Sequence, residues 1–397
     1  MILKVFMIMK YFSANYILPI TSLPIKDGVV KVNDDGEILG IYESKSMELK
    51  GQHIEKFDGV IVPGFINAHC HLELSHMKGA IPQKTGLPAF LTSVMTSRTS
   101  SLKVIDKAMA AADEQMYNNG IVAVADHANT DNTSKIKESS KILYHTFVEF
   151  FGVEPDEADG KLQEAKDLIH EFDPAHSSIT PHAPYSCSKI LLKKFKKAVP
   201  DVNIISIHNQ ESDEENKLFR YKTGEFLDFF KKIGKNPDLF KAQARNSIQS
   251  YLPYLPHPNK LILVHNTYTS LKDLDFVDRM GRDIVWCFCP KANLYIEGQL
   301  PKVLNFVNDN QKIVIGTDSL ASNDSLSILD ELKVLHKHFE SLDFQQTIQW
   351  ATINGAQALN IDDQFGSIEI GKKPGLVLLK NMEHFRLTDK VSVQRLA

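Results

Sequence analysis

The chain has 397 residues, of which 43% are hydrophobic and 24% charged, and its formal net charge is -4. This composition excludes a disordered or fibrous protein, and the length allows one large core with a smaller appendage. Acidic and basic residues are interspersed, so no basic surface for nucleic acid or membrane is expected. We therefore expect a soluble globular protein whose partner is a small molecule.

The ends of the chain and its cysteines bear on the compartment. The apolar start, Met1–Met9, is too short to span a membrane and has no clean cleavage site after it, so a start codon assigned too early or a first strand is the alternative. Whether residues 1–8 belong to the native start stays open. The four cysteines include no CxxC pair. This pattern favours free thiols and a cytoplasmic location.

The middle of the chain alternates short apolar runs with helix-like stretches. The runs that we interpret as strands are Val60–Ala68, Ile121–Ala125, Ile142–Phe151, Ser178–Thr180, Val202–Ile207, Leu261–Val264, Ile284–Cys289 and Ile313–Gly316. Leu162–His170 and Leu326–Phe339 have the 3–4 spacing of amphipathic helices. Eight strands separated by helices predict an α/β fold, a TIM-like (β/α)₈ barrel over residues 62–362.

The two flanks of this region have a different pattern. Turn signals such as Lys26-Asp27-Gly28 separate short alternating runs near the start, and residues 364–380 look similar. We predict a small β-sandwich domain formed from both termini, residues 1–61 and 363–397.

Polar residues follow the predicted strands at the end where a barrel holds its active site. His69 and His71 are two positions apart, so they point the same way from one strand. His208 and Asp318 end two later strands. Three histidines and a carboxylate suit Zn²⁺, with Fe²⁺ as the alternative. Each residue also has a structural interpretation, a core histidine or a turn former, but this order of all four at strand ends favours a metal centre.

The sequence resembles the amidohydrolase superfamily, in the branch of cytosine, guanine and adenosylhomocysteine deaminases and chlorotriazine hydrolases. The matching stretches are Pro63–His71, Thr180–Cys187, His208–Ser212, Leu263–Asn266, Cys289–Leu294, Gly316–Asn323, Ala351–Ala356 and Gly366–Leu378. The resemblance runs nearly end to end and implies the barrel fold and a metal-dependent hydrolase.

The resemblance also implies roles for single residues. The metal ligands correspond to His69, His71, His208 and Asp318, and Asp318 also counts among the catalytic residues. Glu211 matches the acid that protonates a ring nitrogen, and His265 matches the histidine that orients the attacking water.

Other residues are assigned to the substrate or left with two interpretations. His182 matches a substrate-contacting position of the nucleoside-type members, and Glu73 and Arg98 are further candidates for substrate contact. Asp126 and His127 either reach the pocket or cap a loop. Cys287 and Cys289 share a strand face and favour core packing over metal.

The number of ions depends on one further residue. Binuclear relatives bridge two ions through a lysine or glutamate on a middle strand, and Glu149 is the only candidate here. We expect a single divalent ion.

The predicted activity is hydrolytic deamination of an aminated heterocycle with release of ammonia. His182 favours adenine-type nucleosides: adenosine, S-adenosylhomocysteine, methylthioadenosine or aminodeoxyfutalosine. The alternative is a chlorohydrolase, or an amide, guanine or cytosine hydrolase on the same metal platform. Glu211 and His265 are not needed merely to hold metal, which argues against a non-catalytic metal-binding protein. A homodimer is expected only because symmetric dimers are the commonest oligomers.

Overall fold

The structure is a computed structural model that describes residues 9–397, so the prediction for residues 1–8 lies outside the described residues. The strands are β1 Lys10–Ile17, β2 Ile25–Lys26, β3 Val29–Val32, β4 Ile38–Tyr42, β5 Glu55–Pro63, β6 Phe65–Cys70, β7 Ile121–Ala128, β8 Leu143–Phe150, β9 Ser177–Pro181, β10 Ile205–Asn209, β11 Leu261–His265, β12 Ile284–Phe288, β13 Ile313–Ile315, β14 Leu376–Lys380 and β15 Ser392–Arg395.

Helices separate most of the later strands. They are α1 Leu87–Ser97, α2 Leu102–Asn118, α3 Ser134–Ser139, α4 Ala158–Leu168, α5 Lys189–Ala198, α6 Asp213–Tyr221, α7 Phe226–Lys232, α8 Ser247–Tyr251, α9 Leu271–Arg279, α10 Pro290–Ile296, α11 Val303–Asn308, α12 Ile328–His338, α13 Phe344–Trp350 and α14 Ile353–Ala358. A short 3₁₀ helix, Leu72–Met77, directly follows the two histidines of the HxH motif. No helix within residues 9–397 has the length and apolarity needed to cross a membrane.

The fold is α/β, with parallel sheets. One four-stranded sheet has the order β6-β7-β8-β9 and the other β10-β11-β12-β13. β8 and β9 pair in parallel, as do successive strands from β10 to β13. Every residue of β7, β10, β11 and β12 is buried, as expected for parallel strands covered on both faces. The strand and helix alternation inferred from the sequence is therefore confirmed.

A seven-stranded sheet uses strands from both ends of the chain. Its order is β15-β14-β5-β1-β3-β4, with β2 paired to β1. β1 runs parallel to β5, whereas β14 runs antiparallel to β5. Its apolar cluster includes Phe12, Ile61 and Leu378, so residues far apart in sequence bury one face together.

Gly64 divides the first expected strand run in two. Val60–Ala68 was expected as one strand, but β5 ends at Pro63 and β6 begins at Phe65. A Cβ at Gly64 would lie 2.3 Å from a methyl group of Val122 and 2.7 Å from the carbonyl oxygen of Pro374. Only glycine permits this close approach, and the chain changes sheet there.

The chain forms two compact units. The first holds the described residues up to Asn67 together with Glu114–Ala123 and Ser327–Ala397. The second holds Ala68–Asp113 and Val124–Leu326. All of the metal and catalytic residues inferred from the sequence belong to the second unit.

Candidate active site and metal centre

The four residues expected to bind metal lie together. His69 is in β6, His71 follows that strand, and His208 is in β10. The Nε2 atoms of His71 and His208 are 3.2 Å apart, and Oδ1 of Asp318 is 3.7 Å from Nε2 of both His69 and His71. His69, His71 and His208 are buried and form a group that could hold a metal ion.

Neighbouring groups fix which atoms of these residues face the centre. The Nδ1 atom of His208 is 2.7 Å from the carbonyl oxygen of His182, so it donates there and leaves Nε2 for metal. Oδ2 of Asp318 accepts a hydrogen bond from the Ser322 hydroxyl at 2.5 Å, which leaves Oδ1 facing the histidines. Such partners orient metal ligands and set the tautomer of each histidine.

The donor set fits a borderline divalent ion. Burial lowers the pKa of His69 and His71 well below the usual range, and it lowers the pKa of His208 as well. A neutral imidazole is the form that binds metal, so the ligands need not lose protons near pH 7. Imidazole nitrogens and carboxylate oxygens are both ligands that Zn²⁺ accepts in proteins.

Three residues at the site have left-handed backbone conformations. The φ angles are 44° at Gln210, 75° at His265 and 57° at Asp318, and none of these residues is glycine. Each such residue costs of order 1–3 kcal/mol, which the surrounding structure must offset. The strain therefore falls at the positions that aim Glu211, His265 and Asp318.

Glu211 and His265 lie next to each other at the site. Nε2 of His265 is 3.6 Å from Oε1 of Glu211, and both side chains are buried. Burial, followed by the nearby carboxylates of Asp318, Glu297 and Glu215, raises the pKa of Glu211 well above the usual range. Burial lowers the pKa of His265 to about 3. Burial therefore favours the protonated form of the Glu211 carboxyl and the neutral form of the His265 imidazole.

His182 lines the same cavity. It follows β9, and its Nδ1 is 2.9 Å from the Ser186 hydroxyl. Burial lowers the pKa of His182 to about 4, so the ring is neutral near pH 7. The cavity has a volume of about 410 Å³. Its polar lining residues include His71, Arg98, Asn129, Glu149, His182, His208, Glu211, His265 and Asp318.

Glu73 and Arg98 bind each other. Arg98 follows α1 and donates to Oε1 of Glu73 at 3.1 Å. Oε2 of Glu73 accepts from the Asn129 backbone and the Thr130 hydroxyl, both at 3.1 Å, so both of its oxygens are engaged. The Arg98 side chain is 36% exposed and lines the cavity. His76 also contacts this element, since its Nε2 is 2.8 Å from the Arg98 carbonyl oxygen.

Asp126 and His127, left open by the sequence, make interior contacts at the end of β7. Asp126 accepts the Leu72 backbone N–H at 2.7 Å, directly after His71. It also pairs with Lys137 at 2.6 Å. His127 binds Oε1 of Glu149 at 2.8 Å through Nδ1. These contacts join the end of β7 to the segment after His71, to α3 and to β8.

Several residues that contact the site were not predicted from the sequence or were predicted in another role. Lys137 was not selected, although an apolar strand ending in Asp requires a buried cation or donor. Glu149 was considered only as a bridging ligand, yet it accepts from His127 and from Asn129, each at 2.8 Å. Glu215 was also missed, and its signal was the spacing Ser212-x-x-Glu215 of a helix capping box. Cys287 and Cys289 are free and buried, as expected for core packing.

Comparisons with known proteins show which family the chain belongs to. Residues 60–395 match the amidohydrolase family. The chain belongs to that family. As an amidohydrolase it is a hydrolase acting on carbon–nitrogen bonds, and the resemblance inferred from the motifs is confirmed.

Similar proteins within the family include deaminases. An adenosine deaminase of Helicobacter pylori is 28% identical over 363 residues, covering 88% of this chain and 87% of the relative. The crystal structure of Helicobacter pylori aminofutalosine deaminase with methylthio-coformycin has a TM-score of 0.78 at 22% identity and covers 98% of this chain and 100% of that one.

A second solved structure carries a metal. It is an adenosine deaminase from Xanthomonas campestris with bound zinc, with a TM-score of 0.74 at 20% identity, covering 97% of this chain and 90% of that one. At these identities the two structural likenesses show a shared fold.

Proposed function

We propose that this amidohydrolase is a metal-dependent deaminase that releases ammonia from an adenine-type nucleoside. The observation that carries the proposal is the buried Glu211 carboxyl, 3.6 Å from His265 and with a raised pKa, on the cavity that His71, His208 and Asp318 also line. Deamination of an amino heterocycle needs such a proton donor beside a hydrolytic centre. The adenosine deaminase relative supports the same substrate class.

One divalent ion, which we propose to be Zn²⁺ with Fe²⁺ as the alternative, would be held by His69, His71, His208 and Asp318. When bound, it supplies a nucleophile from water at neutral pH. The donor set and the zinc in the Xanthomonas campestris neighbour support this choice. Glu149 is engaged by His127 and Asn129, which supports its role as a structural partner and the presence of a single ion.

The remaining chemistry belongs to the side chains of the chain itself. Glu211, whose raised pKa favours the protonated form, donates its proton to a ring nitrogen and so makes the adjacent carbon electrophilic. His265, whose lowered pKa favours the neutral form, orients the attacking water and accepts its proton. A proton returned from this pair to the exocyclic amine allows ammonia to leave. General acid–base catalysis of this kind is worth about 10²–10⁴-fold in rate.

The cavity wall bears on which nucleoside is bound. Beyond the polar centre the lining is largely apolar, with Phe90, Leu91, Val94, Met95, Phe229, Phe230 and Ile233 among its residues. The first four lie in α1, and the next two lie in α7. Burial of apolar area stabilises binding by about 25 cal/mol per Å². We therefore propose that the preferred substrate has an apolar 5′ substituent, and that His182 contacts the nucleoside and Arg98 borders the substituent.

The closure of the barrel is also a proposal. We infer that the two parallel sheets close as a (β/α)₈ barrel. The backbone N–H of His208 in β10 donates to the His182 carbonyl after β9, and the N–H groups of Thr317 and Asp318 donate to the His69 carbonyl in β6. The terminal β-sandwich over residues 1–61 and 363–397, the homodimer and the cytoplasmic location stay predictions.

An ammonia-release assay tests the proposal. The purified protein, loaded with zinc, is given adenosine, 5′-methylthioadenosine, guanine, cytosine and a chlorotriazine. We expect ammonia from the two nucleosides, with kcat/KM for 5′-methylthioadenosine at least about 10-fold higher, because its apolar group gains area on the cavity wall. Release of chloride alone, or activity only on guanine or cytosine, would contradict the proposal. Equal rates for both nucleosides would contradict only the proposed 5′ preference.

A further inference from the structure

The helix that follows Glu211 contains a second buried carboxyl, Glu215. Glu215 is fully buried in the first turn of α6. Its Oε1 accepts the backbone N–H of Gln210 at 3.1 Å and the hydroxyl proton of Ser247. The carboxyl therefore binds the backbone directly before Glu211.

This arrangement differs from an ordinary helix cap. In a capping box the glutamate at the third helical position returns to the backbone N–H of the residue that caps the helix. The capping residue here is Ser212, whose hydroxyl accepts from the Glu214 backbone at 3.2 Å. Glu215 reaches past it to Gln210, where the chain is left-handed. The contact is thus made where the chain turns to present Glu211.

Gln210 is held on its other sides by buried polar groups. Its side-chain oxygen accepts from the Thr269 hydroxyl at 2.8 Å. The side-chain amide nitrogen of Gln210 donates to Asn216 at 3.3 Å and to Asp273 at 3.2 Å. The backbone carbonyl oxygen of Gln210 accepts from the backbone N–H of Tyr268 at 2.9 Å. The turn is therefore fixed on several sides, and Glu215 binds it through the backbone N–H of Gln210.

We propose that Glu215 is a positioning residue for the reaction, and that its carboxyl aims Glu211 into the cavity by binding the backbone N–H of Gln210, the residue directly before it. The inference rests on the role proposed above for Glu211. A general acid must lie within hydrogen-bond reach of the atom that it protonates, and misplacement by about 1 Å can cost 10²-fold in rate.

Electrostatics adds a second effect. Burial raises the pKa of Glu215 to about 7, and its Oε2 is buried with no hydrogen-bond partner among the described residues. The groups facing Glu211 are Asp318, Glu297, Glu215, His265 and Tyr185. Those facing Glu215 are Glu211, Tyr185 and Tyr251. When ionised, Glu215 adds negative charge that favours the protonated form of Glu211.

The test compares Glu215→Ala and Glu215→Gln with the zinc-loaded wild type, using 5′-methylthioadenosine and adenosine. We expect Glu215→Ala to keep its metal, to change KM by less than about 3-fold and to lower kcat by at least about 10-fold, since the lost positioning acts in the transition state. Glu215→Gln retains an oxygen acceptor and should restore kcat to within about 3-fold. Asp213→Ala is the matched control, because it removes an exposed carboxylate from the same helical turn.

The pH profile separates positioning from a purely structural role. Glu211 must be protonated to act, so kcat falls as the pH rises through its pKa. Glu215→Gln removes the neighbouring charge, which lowers the pKa of Glu211 and moves this limb to lower pH. A wild-type kcat per metal-loaded chain in Glu215→Ala would overturn the proposal, as would equal losses of metal and kcat.

Two further outcomes keep the test decisive. If Glu215→Ala does not fold, an unmoved limb in Glu215→Gln overturns the proposal. Glu211→Gln is measured in parallel. If it is inactive while Glu215→Ala behaves as wild type, only the positioning role fails. If it is fully active, the proposed role of Glu211 fails first.

Discussion

At the scale of single residues, the site moves the pKa values of two neighbouring side chains, Glu211 and His265, in opposite directions. Burial and three neighbouring carboxylates raise the pKa of Glu211, whereas burial lowers the pKa of His265 to about 3. Two titratable groups whose environments move their pKa values in opposite directions are typical of an acid and base pair. Burial thus favours a protonated Glu211 carboxyl beside a neutral His265 imidazole, which are the forms that the proposed reaction requires.

The pH dependence of the reaction follows from these directions. Since the pKa of Glu211 is raised, its carboxyl keeps the proton to a higher pH than an ordinary glutamate does and loses it as the pH rises through the folded value. We expect kcat to fall along that basic limb. Glu211→Gln should lower kcat by at least about 10²-fold and remove the basic limb of the pH profile, with KM changed much less. The measurement is kcat and KM from pH 5 to 10 on zinc-loaded protein.

The same variant has informative alternative outcomes. Loss of zinc from Glu211→Gln would show that Glu211 is a metal ligand. Normal deamination would show that another group protonates the ring, and Glu73 would be examined next. Glu214→Gln is a suitable control, because Glu214 binds Lys217 on the outer side of the same segment.

The grouping of His69, His71, His208 and Asp318, and of Glu211 with His265, was the part of the site that the sequence could predict. His69 and His71 are adjacent in the chain, and each later residue ends a recognisable apolar strand. Glu149, Lys137 and Glu215 were not predicted as supports, because their partners lie 22, 11 and 5 residues away, in other elements or across a turn. A contact of that kind depends on the folded geometry.

At the scale of elements, strand existence was easier to predict than strand ends. The run Val202–Ile207 was expected as a strand, but β10 spans Ile205–Asn209. The Asn203 side chain binds the backbone of Ile179 and Ile204, so the strand begins later than the apolar pattern suggests. His208 consequently lies inside the strand, where the hydrogen bonds of the β-ladder hold the backbone on both sides of it.

The link between α3 and β7 supports the end of the metal-binding strand. Lys137 is in α3, and its ammonium pairs with the fully buried Asp126, which also binds the Leu72 backbone. Lys137→Met would leave that carboxylate without its cation. We expect it to lower the free energy of unfolding by about 3–5 kcal/mol, the usual effect of breaking a buried pair.

Denaturant unfolding of the zinc-loaded protein measures this effect. Asp126→Asn in the Lys137→Met background keeps an acceptor for the Leu72 N–H and removes the unpaired charge, so it should recover part of the loss. Lys135→Met, at an exposed position of the same helix, should change stability by less than about 0.5 kcal/mol. A Lys137→Met protein as stable as wild type would contradict the role assigned to the pair.

At the scale of the whole molecule, patterning determines the fold more strongly than identity does. The Helicobacter pylori aminofutalosine deaminase structure shares only 22% of residues yet has a TM-score of 0.78. Burial requires only that apolar residues recur with the right period, and many sequences satisfy that condition. The sheet made from both chain ends was inferred from turn signals, whereas its strand order and pairing depend on long-range contacts between β5, β1 and β14.

Removal of the metal should affect the stability of the protein as well as its activity. The three histidines and Asp318 are buried close together, so the ion binds the folded chain and has no comparable site in the unfolded chain. An ion at 100 times its dissociation constant stabilises the fold by about 2.7 kcal/mol. We therefore expect a chelator to abolish ammonia release and to lower Tm by several degrees, with both restored by zinc.

His69→Ala and Asp318→Ala should contain little metal, and their Tm should no longer respond to the chelator. His53→Ala, at an exposed histidine, is the control and should respond as wild type does. Full metal occupancy in both ligand variants would refute the assignment of the metal centre, because a site that keeps its ion without these side chains must use others.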